Sequence, residues 1–546
     1  VLALGVTFAL AATGCGKGTT TAPPVEKEPP KPAAPPDLLG WAVIPTPDAS
    51  WGKLQRAIGG SLGLIPSTLG GLVTSLGGLD SSLSPEVDGR APAYVACSGN
   101  PDNMGWVVSL HLRDARHARA ELGDAGHFRT REAHGMTVLV PPSQLPFAVA
   151  FDGDRLLVAR READLDVLGA YASRTLPREP TPSSAMVADI PPSGMAAFTT
   201  ALGAAWKELE KNAEDSEKAL RDKHGGKQAD FADTQAVLGI ADEFVLARNK
   251  ELGDFAAAHL TLDTGDDGVH VAMQVTPKEG QGPSRDLVST LGVGDAQPLV
   301  SSWGDARASI LLRTTPASRK AHAEVVSNAL SRALGERLTD PGKKALGTVL
   351  HAWESGVSDA LVLSLPSATS KSVLARVGVS DEKAVKEALV AMPPLLSEKA
   401  FATPLGVTQT STAKKELAGG GSADVLTWAR AADKKHGVQA GALGVASAMD
   451  SGSAFLALGE DPLAVLLAGV RPERKLGDDN LLAAPLLALG SEVSLVVLVQ
   501  PLKLEPTHLG EPAAPGILAL GRHGSDATVR LDISMGLLKG FMKKNL

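Results

Sequence analysis

The sequence predicts an α+β protein built from one unit written twice, each unit of antiparallel strands in hairpins with helices covering one face. Three observations carry that expectation. A strand, a proline and a helix recur, as "GWAVIPTPDASWGKLQRAIGG" at Gly40, "SAMVADIPPSGMAAFTTALGAAW" at Ser184 and "ASILLRTTPASRKAHAEVVSNAL" at Ala308, while "EVSLVVLVQPLKL" at Glu492 keeps the strand and the proline. Further pieces come in the same order in both halves. Gly- and Asp-rich turns separate paired runs of alternating apolar side chains, the pattern of hairpins.

Taken in order, each element has a local reason. Proline ends a strand because it lacks an N–H, and a Ser, Thr or Asp beside it can cap the helix that follows. "WVVSLHLRDARHARAEL" from Trp106 matches "VLARVGVSDEKAVKEAL" from Val373, an alternating strand and then a charged amphipathic helix. "REAHGMTVLV" at Arg131 is set against "DKKHGVQAGALGV" at Asp433, which equates His134-Gly135 with His436-Gly437. "FAVAFDGDRLLVARREADLDVLGAYASR" from Phe147 corresponds to "GSAFLALGEDPLAVLLAGVRPER" from Gly452, and the hairpin "AHLTLDTGDDGVHVAMQV" at Ala258 to "LALGRHGSDATVRLDISM" at Leu518. The expected boundaries are 38–295 for unit one and 296–546 for unit two.

Two segments depart from the repeat. Lys207 to Lys227 continues a helix near 195–225 with Glu208, Glu210, Glu214 and Glu217 alternating with Lys207, Lys211, Lys218 and Arg221, as a solvated helix or a partner-docking arm would. Between Ile58 and Leu83, Leu69, Leu72, Val73, Leu76, Leu79 and Leu83 recur at helical spacing, while glycine pairs weaken the helix by about 1 kcal/mol per glycine. That stripe is either the edge of the core or a lid over an apolar groove.

Composition excludes several functions. A net charge of −8 argues against an electrostatic grip on nucleic acid, and 4% aromatic residues leave few rings for stacking on bases or sugars. The 12 His residues show no H-E-x-x-H or paired-Cys spacing, so neither metal nor cofactor is expected. Cys97 in "APAYVACSG" reads as a buried strand residue. Gly59 to Gly63 matches G-x-S-x-G around Ser61, but a helix precedes it where the nucleophile elbow needs a strand. Ser380 to Lys383 and Ser411 to Lys414 match S-x-x-K; the first reads better as a helix cap and no K-T-G follows either. Asp152 to Asp154 and Asp263 to Gly268 hold clustered carboxylates where hairpin turns want Asp and Gly. No catalytic residue is assigned.

At the N-terminus, Val1 to Ala12 is almost wholly apolar, too short to span a bilayer and of the length of a secretory h-region. It starts with Val and lacks a basic flank, which implies a truncated start. Ala12-Thr13-Gly14-Cys15 follows, small residues leading to Cys, and this resembles the lipobox of bacterial lipoproteins, with Ala12 where Leu is usual. The resemblance implies a signal peptide over 1–14, a diacylglycerol on the Cys15 sulfur, and a location in the cell envelope. Gly16 after Cys15 implies the outer membrane, facing the periplasm. Acyl chains bind at about 0.8 kcal/mol per methylene, so two or three hold a protein essentially permanently. Residues 15–37 would then be the lipidated Cys and a Pro-rich tether. The whole is similar to the uncharacterised bacterial lipoproteins with duplicated strand-helix domains. A lipid-anchored, non-catalytic binding or scaffold protein is the leading expectation, its partner an envelope protein or a lipid. A lipid or lipoprotein carrier with an apolar groove at Leu69, Leu72, Val73, Leu76 and Leu79 comes second, and a serine hydrolase third.

Overall fold

A computed structural model of the chain describes residues 31–58, 65–77, 79–124, 129–140, 147–223, 249–265, 267–334, 338–366, 371–402, 407–417, 420–430, 441–500 and 515–538. Helices and strands are mixed, and the strands form large antiparallel sheet structure. There are two compact units, whose described residues fall in Val1–Ala201, Leu252–Glu279 and Arg530–Leu546 for the first and Leu202–Glu251 and Gly280–Val529 for the second. The division is therefore interleaved in sequence, not a single cut near 295.

In the first half run β1 (Leu38–Ile44), β2 (Ala93–Ser98), β3 (Gly105–His111), β4 (Arg129–Ala133), β5 (Met136–Val140), β6 (Ala148–Asp152), β7 (Arg155–Ala159), β8 (Met186–Ile190), β9 (Phe255–Thr264) and β10 (Gly268–Pro277). Side by side their order is β4, β5, β6, β7, β3, β2, β1, β8, β9, β10, every pairing antiparallel. In the second half come β11 (Ala308–Arg313), β12 (Val357–Leu365), β13 (Val373–Val379), β14 (Val407–Glu416), β15 (Ser422–Arg430), β16 (Gly441–Asp450), β17 (Ser453–Gly459), β18 (Val493–Val499), β19 (Gly516–His523) and β20 (Asp526–Ser534). Their order is β14, β15, β16, β17, β13, β12, β11, β18, β19, β20. The second ten strands thus repeat the arrangement of the first ten.

Helices do not keep to one face, which corrects the expectation from sequence. Successive strand residues point to opposite sides, and on β7 Leu156 and Leu157 are both fully buried. Leu156 and Val158 pack with Leu110, Phe151 and the helical residues Ala118 and Leu122. Leu157 and Ala159 pack on the other side with Val107, Ala150 and the helical residues Leu165, Leu168 and Ala172. On β17, Phe455 and Ala457 meet Val465 and Leu466 of helix Pro462–Val470, whereas Ala454 meets Val385 of helix Glu382–Leu396. Burying such a side chain is worth about 1.5–3 kcal/mol, so a strand covered twice anchors both layers.

Caps set the helix starts. Thr315 and Ser318 exchange side-chain to backbone bonds of 3.1 and 2.9 Å at the helix beginning with Pro316, and Thr339 caps helix Asp340–His351. Asp381, not Ser380, caps helix Glu382–Leu396, accepting from Lys383 N and Ala384 N; Ser380 Oγ donates to the Ser355 carbonyl instead. The charged stretch from Lys207 lies on helix Pro192–Lys223. Among the described residues no helix is long and apolar enough to cross a membrane.

Candidate functional site

Cys15, Ser61 and His436 lie outside the described residues. Of the apolar stripe, Leu79 sits in the first core cluster and Leu69 and Val73 of helix Leu69–Gly77 pack against it, with Leu72 half-buried; the backbone of Leu76 continues that helix. Ser411 and Lys414 are both exposed on β14. Three positions apart on a strand they point to opposite faces, so the pair cannot act together. Cys97 on β2 is half-buried, and burial pushes its thiol up to about 11, away from the thiolate form.

His134 and His436 are not equivalent. His134-Gly135 forms the tight turn between β4 and β5, with φ of +53° and +73°, whereas position 436 falls one hairpin later, between β15 and β16. Left-handed values at both central residues define the hairpin turn that suits strand twist. The His134 and Gly135 carbonyls accept from Arg174 Nη2 at 3.5 and 3.1 Å. Arg174 also grips Asp152 through Nε (2.7 Å) and Nη2 (2.9 Å), and the hydrogen bond to Asp152 holds the guanidinium above its usual range. Asp152 is therefore a structural anchor beside its turn. Asp263 accepts from Ala185 N at 3.0 Å, which ties β9 to the start of β8.

Among the described residues a concavity in the second unit surrounds the N-terminus of helix Pro462–Val470, which was not singled out from sequence. Pro462 opens the helix and Asp461 caps it, accepting from Ala464 N at 3.3 Å. Asp461 N donates to Ser372 Oγ at 3.3 Å, and Lys371 Nζ pairs with Glu460 at 2.9 Å. Gly459, at φ +147°, makes this approach possible, since a Cβ there would collide with Ser372 and the Lys371 carbonyl. One cavity of about 410 Å³ is lined by Trp303, Pro366, Lys371, Ser372, Ala464, Val465 and Ala468, and a second of about 290 Å³ by Ala413, Lys415, Val425, Thr427, Leu443 and Leu463. Glu460 and Asp461 line both. Alkyl and indole walls with a charged rim suit a small molecule or side chain that has an apolar body and a polar end. The Asp-Pro start was visible in sequence; Trp303 and Lys371 join it only through the fold.

A second polar cluster lies in the first unit. His270 Nδ1 meets Asp532 at 2.7 Å and Nε2 meets Asp267 at 3.3 Å, while Arg530 Nε donates to the other Asp532 oxygen at 2.8 Å. Burial alone would lower the imidazole pKa, but the hydrogen bonds to Asp532 and Asp267 outweigh it and hold it above its usual value. Among the described residues no group of three or more His, Cys, Asp and Glu is arranged to hold a metal ion.

No family model matches the sequence, and no curated protein matches it. Among solved structures, crystal form III of TP0453 is similar over 45% of this chain and 97% of its own, at 10% identity and a TM-score of 0.19. Crystal form I of the same protein covers 45% and 96%, at 10% identity and a TM-score of 0.18. At these scores the likenesses carry no argument about fold or function.

Proposed function

We propose that the chain is a lipid-anchored protein of the bacterial cell envelope, a duplicated ten-strand unit that works by binding a ligand or partner, not by catalysis. The observation that carries the binding role is the pair of cavities sharing Glu460 and Asp461, with apolar walls and a rim of Lys371, Ser372 and Lys415. The repeated strand order supports the duplication, because two unrelated halves have no physical reason to interleave ten strands alike. The small residues before Cys15 support the anchor.

Native mass spectrometry of the full chain, extracted from a bacterial envelope in mild detergent, tests the binding role. The expected result is a bound small mass that disappears in Ala468→Trp, which fills the larger cavity. A bound lipid would turn the proposal towards a carrier, and turnover of an ester by the purified chain would overturn it. The anchor has its own test: Cys15→Ser should leave the membrane fraction.

A further inference from the structure

β14 is the last strand at one end of the second series and runs for ten residues. β14 pairs with β15 along its length, Thr412 opposite Leu426 and Lys415 opposite Ala423, and among the described residues its other side pairs with nothing. The side chains from Gln409 to Glu416 are all exposed. A free strand of this length offers roughly 30 Å of unpaired N–H and C=O groups. Lysines at such an edge, here Lys414 and Lys415, discourage indiscriminate pairing. They leave open a pairing that keeps them apart.

We propose that β14 is a self-association edge, adding antiparallel to β14 of a second copy about a two-fold axis at Thr412. Directly opposed residues in an antiparallel pair point to the same face, so a two-fold partner must oppose residues of equal parity. Centred on Thr412, this places Thr412 opposite Thr412, Ser411 opposite Ala413, Thr410 opposite Lys414 and Gln409 opposite Lys415. Each lysine faces an uncharged polar residue, and the β-branched threonines meet at the centre, a favourable cross-strand pair. A parallel in-register pairing would stack Lys414 on Lys414 and Lys415 on Lys415. Of these two pairings only the antiparallel one keeps the lysines apart.

Sedimentation velocity of the full chain in mild detergent, over a concentration series, tests the proposal through position 410. The wild-type chain should be a reversible dimer. Thr410→Lys, which sets lysine against Lys414 twice per dimer, should weaken it by roughly tenfold, and Thr410→Glu should tighten it by a similar factor. Thr410→Lys with Lys414→Glu should restore it. All these residues are exposed, so each variant should fold. A monomer at every concentration, a dimer indifferent to the charge at 410, or a different polypeptide found seated on the 407–416 edge would overturn the proposal.

Discussion

The ion pair between Asp152 and Arg174 in the first unit has a counterpart in the second, between Asp450 and Arg471. Both aspartates end the strand before a hairpin turn, β6 and β16, and both arginines follow the strand after it, Arg174 in the last turn of a helical segment and Arg471 directly after helix Pro462–Val470. Each carboxylate also accepts from a serine, Ser173 or Ser451. The surroundings differ. Arg174 binds Asp152 through two nitrogens and reaches two carbonyls of the His134 turn, with side-chain exposures of 24% and 10% for Arg174 and Asp152. Arg471 binds Asp450 through Nη2 at 2.8 Å, with exposures of 45% and 17%. One device closes a hairpin onto a helix in both units, and in the first it also reaches the turn of a second hairpin.

The largest expected effect comes from Arg174→Met, which leaves a nearly buried carboxylate with Ser173 as its remaining donor and takes Arg174 from two turn carbonyls. It should cost about 1.5–3 kcal/mol, the range for hydrogen bonds to charged groups, read as the urea midpoint of the first unit. Arg471→Met removes a more exposed pair and should cost about 0.5–1 kcal/mol in the second unit. Equal losses would break the comparison. Arg471 holds the Asp450 carboxyl below its usual range, so this contribution is present above the ordinary Asp pKa and is lost as the pH falls through the folded value.

The smallest effect sharpens the contrast through pH. His270 has its pKa raised by Asp532 and Asp267, so its contribution is fully present below the unfolded value of about 6.5 and is lost as the pH rises through the folded one. The first unit should therefore weaken across that window while His270→Gln flattens the profile. A midpoint that falls equally with pH in His270→Gln would assign the dependence to another group.

The mixed helix and strand class and its hairpins were legible because proline, glycine and aspartate mark where strands stop, whereas the order of strands across the sheet was not. Two-sided burial was not legible: "RLLVA" on β7 is a continuous apolar run that serves two cores at once, and period-two reasoning looks for one. The match of His134-Gly135 with His436-Gly437 failed because a shared dipeptide is weaker evidence than the hairpin it belongs to. The cap at Asp381 was missed by one residue, since Ser and Asp stand side by side and only geometry chooses between them. The cavities around Asp461 were hidden for a different reason. Lys371 and Trp303 lie about 90 and 160 residues before it, and only the strand arrangement brings them to one place.

The interleaving of the units has a consequence in time. Residues 530–538 follow every residue of the second unit in the chain, yet they belong to the first, where Asp532 binds His270 and Leu538 packs on the core. A chain that emerges from its N-terminal end lacks the Asp532 partner of His270 and the Leu538 packing of the first core until the second unit has been made. The half that starts first is completed last.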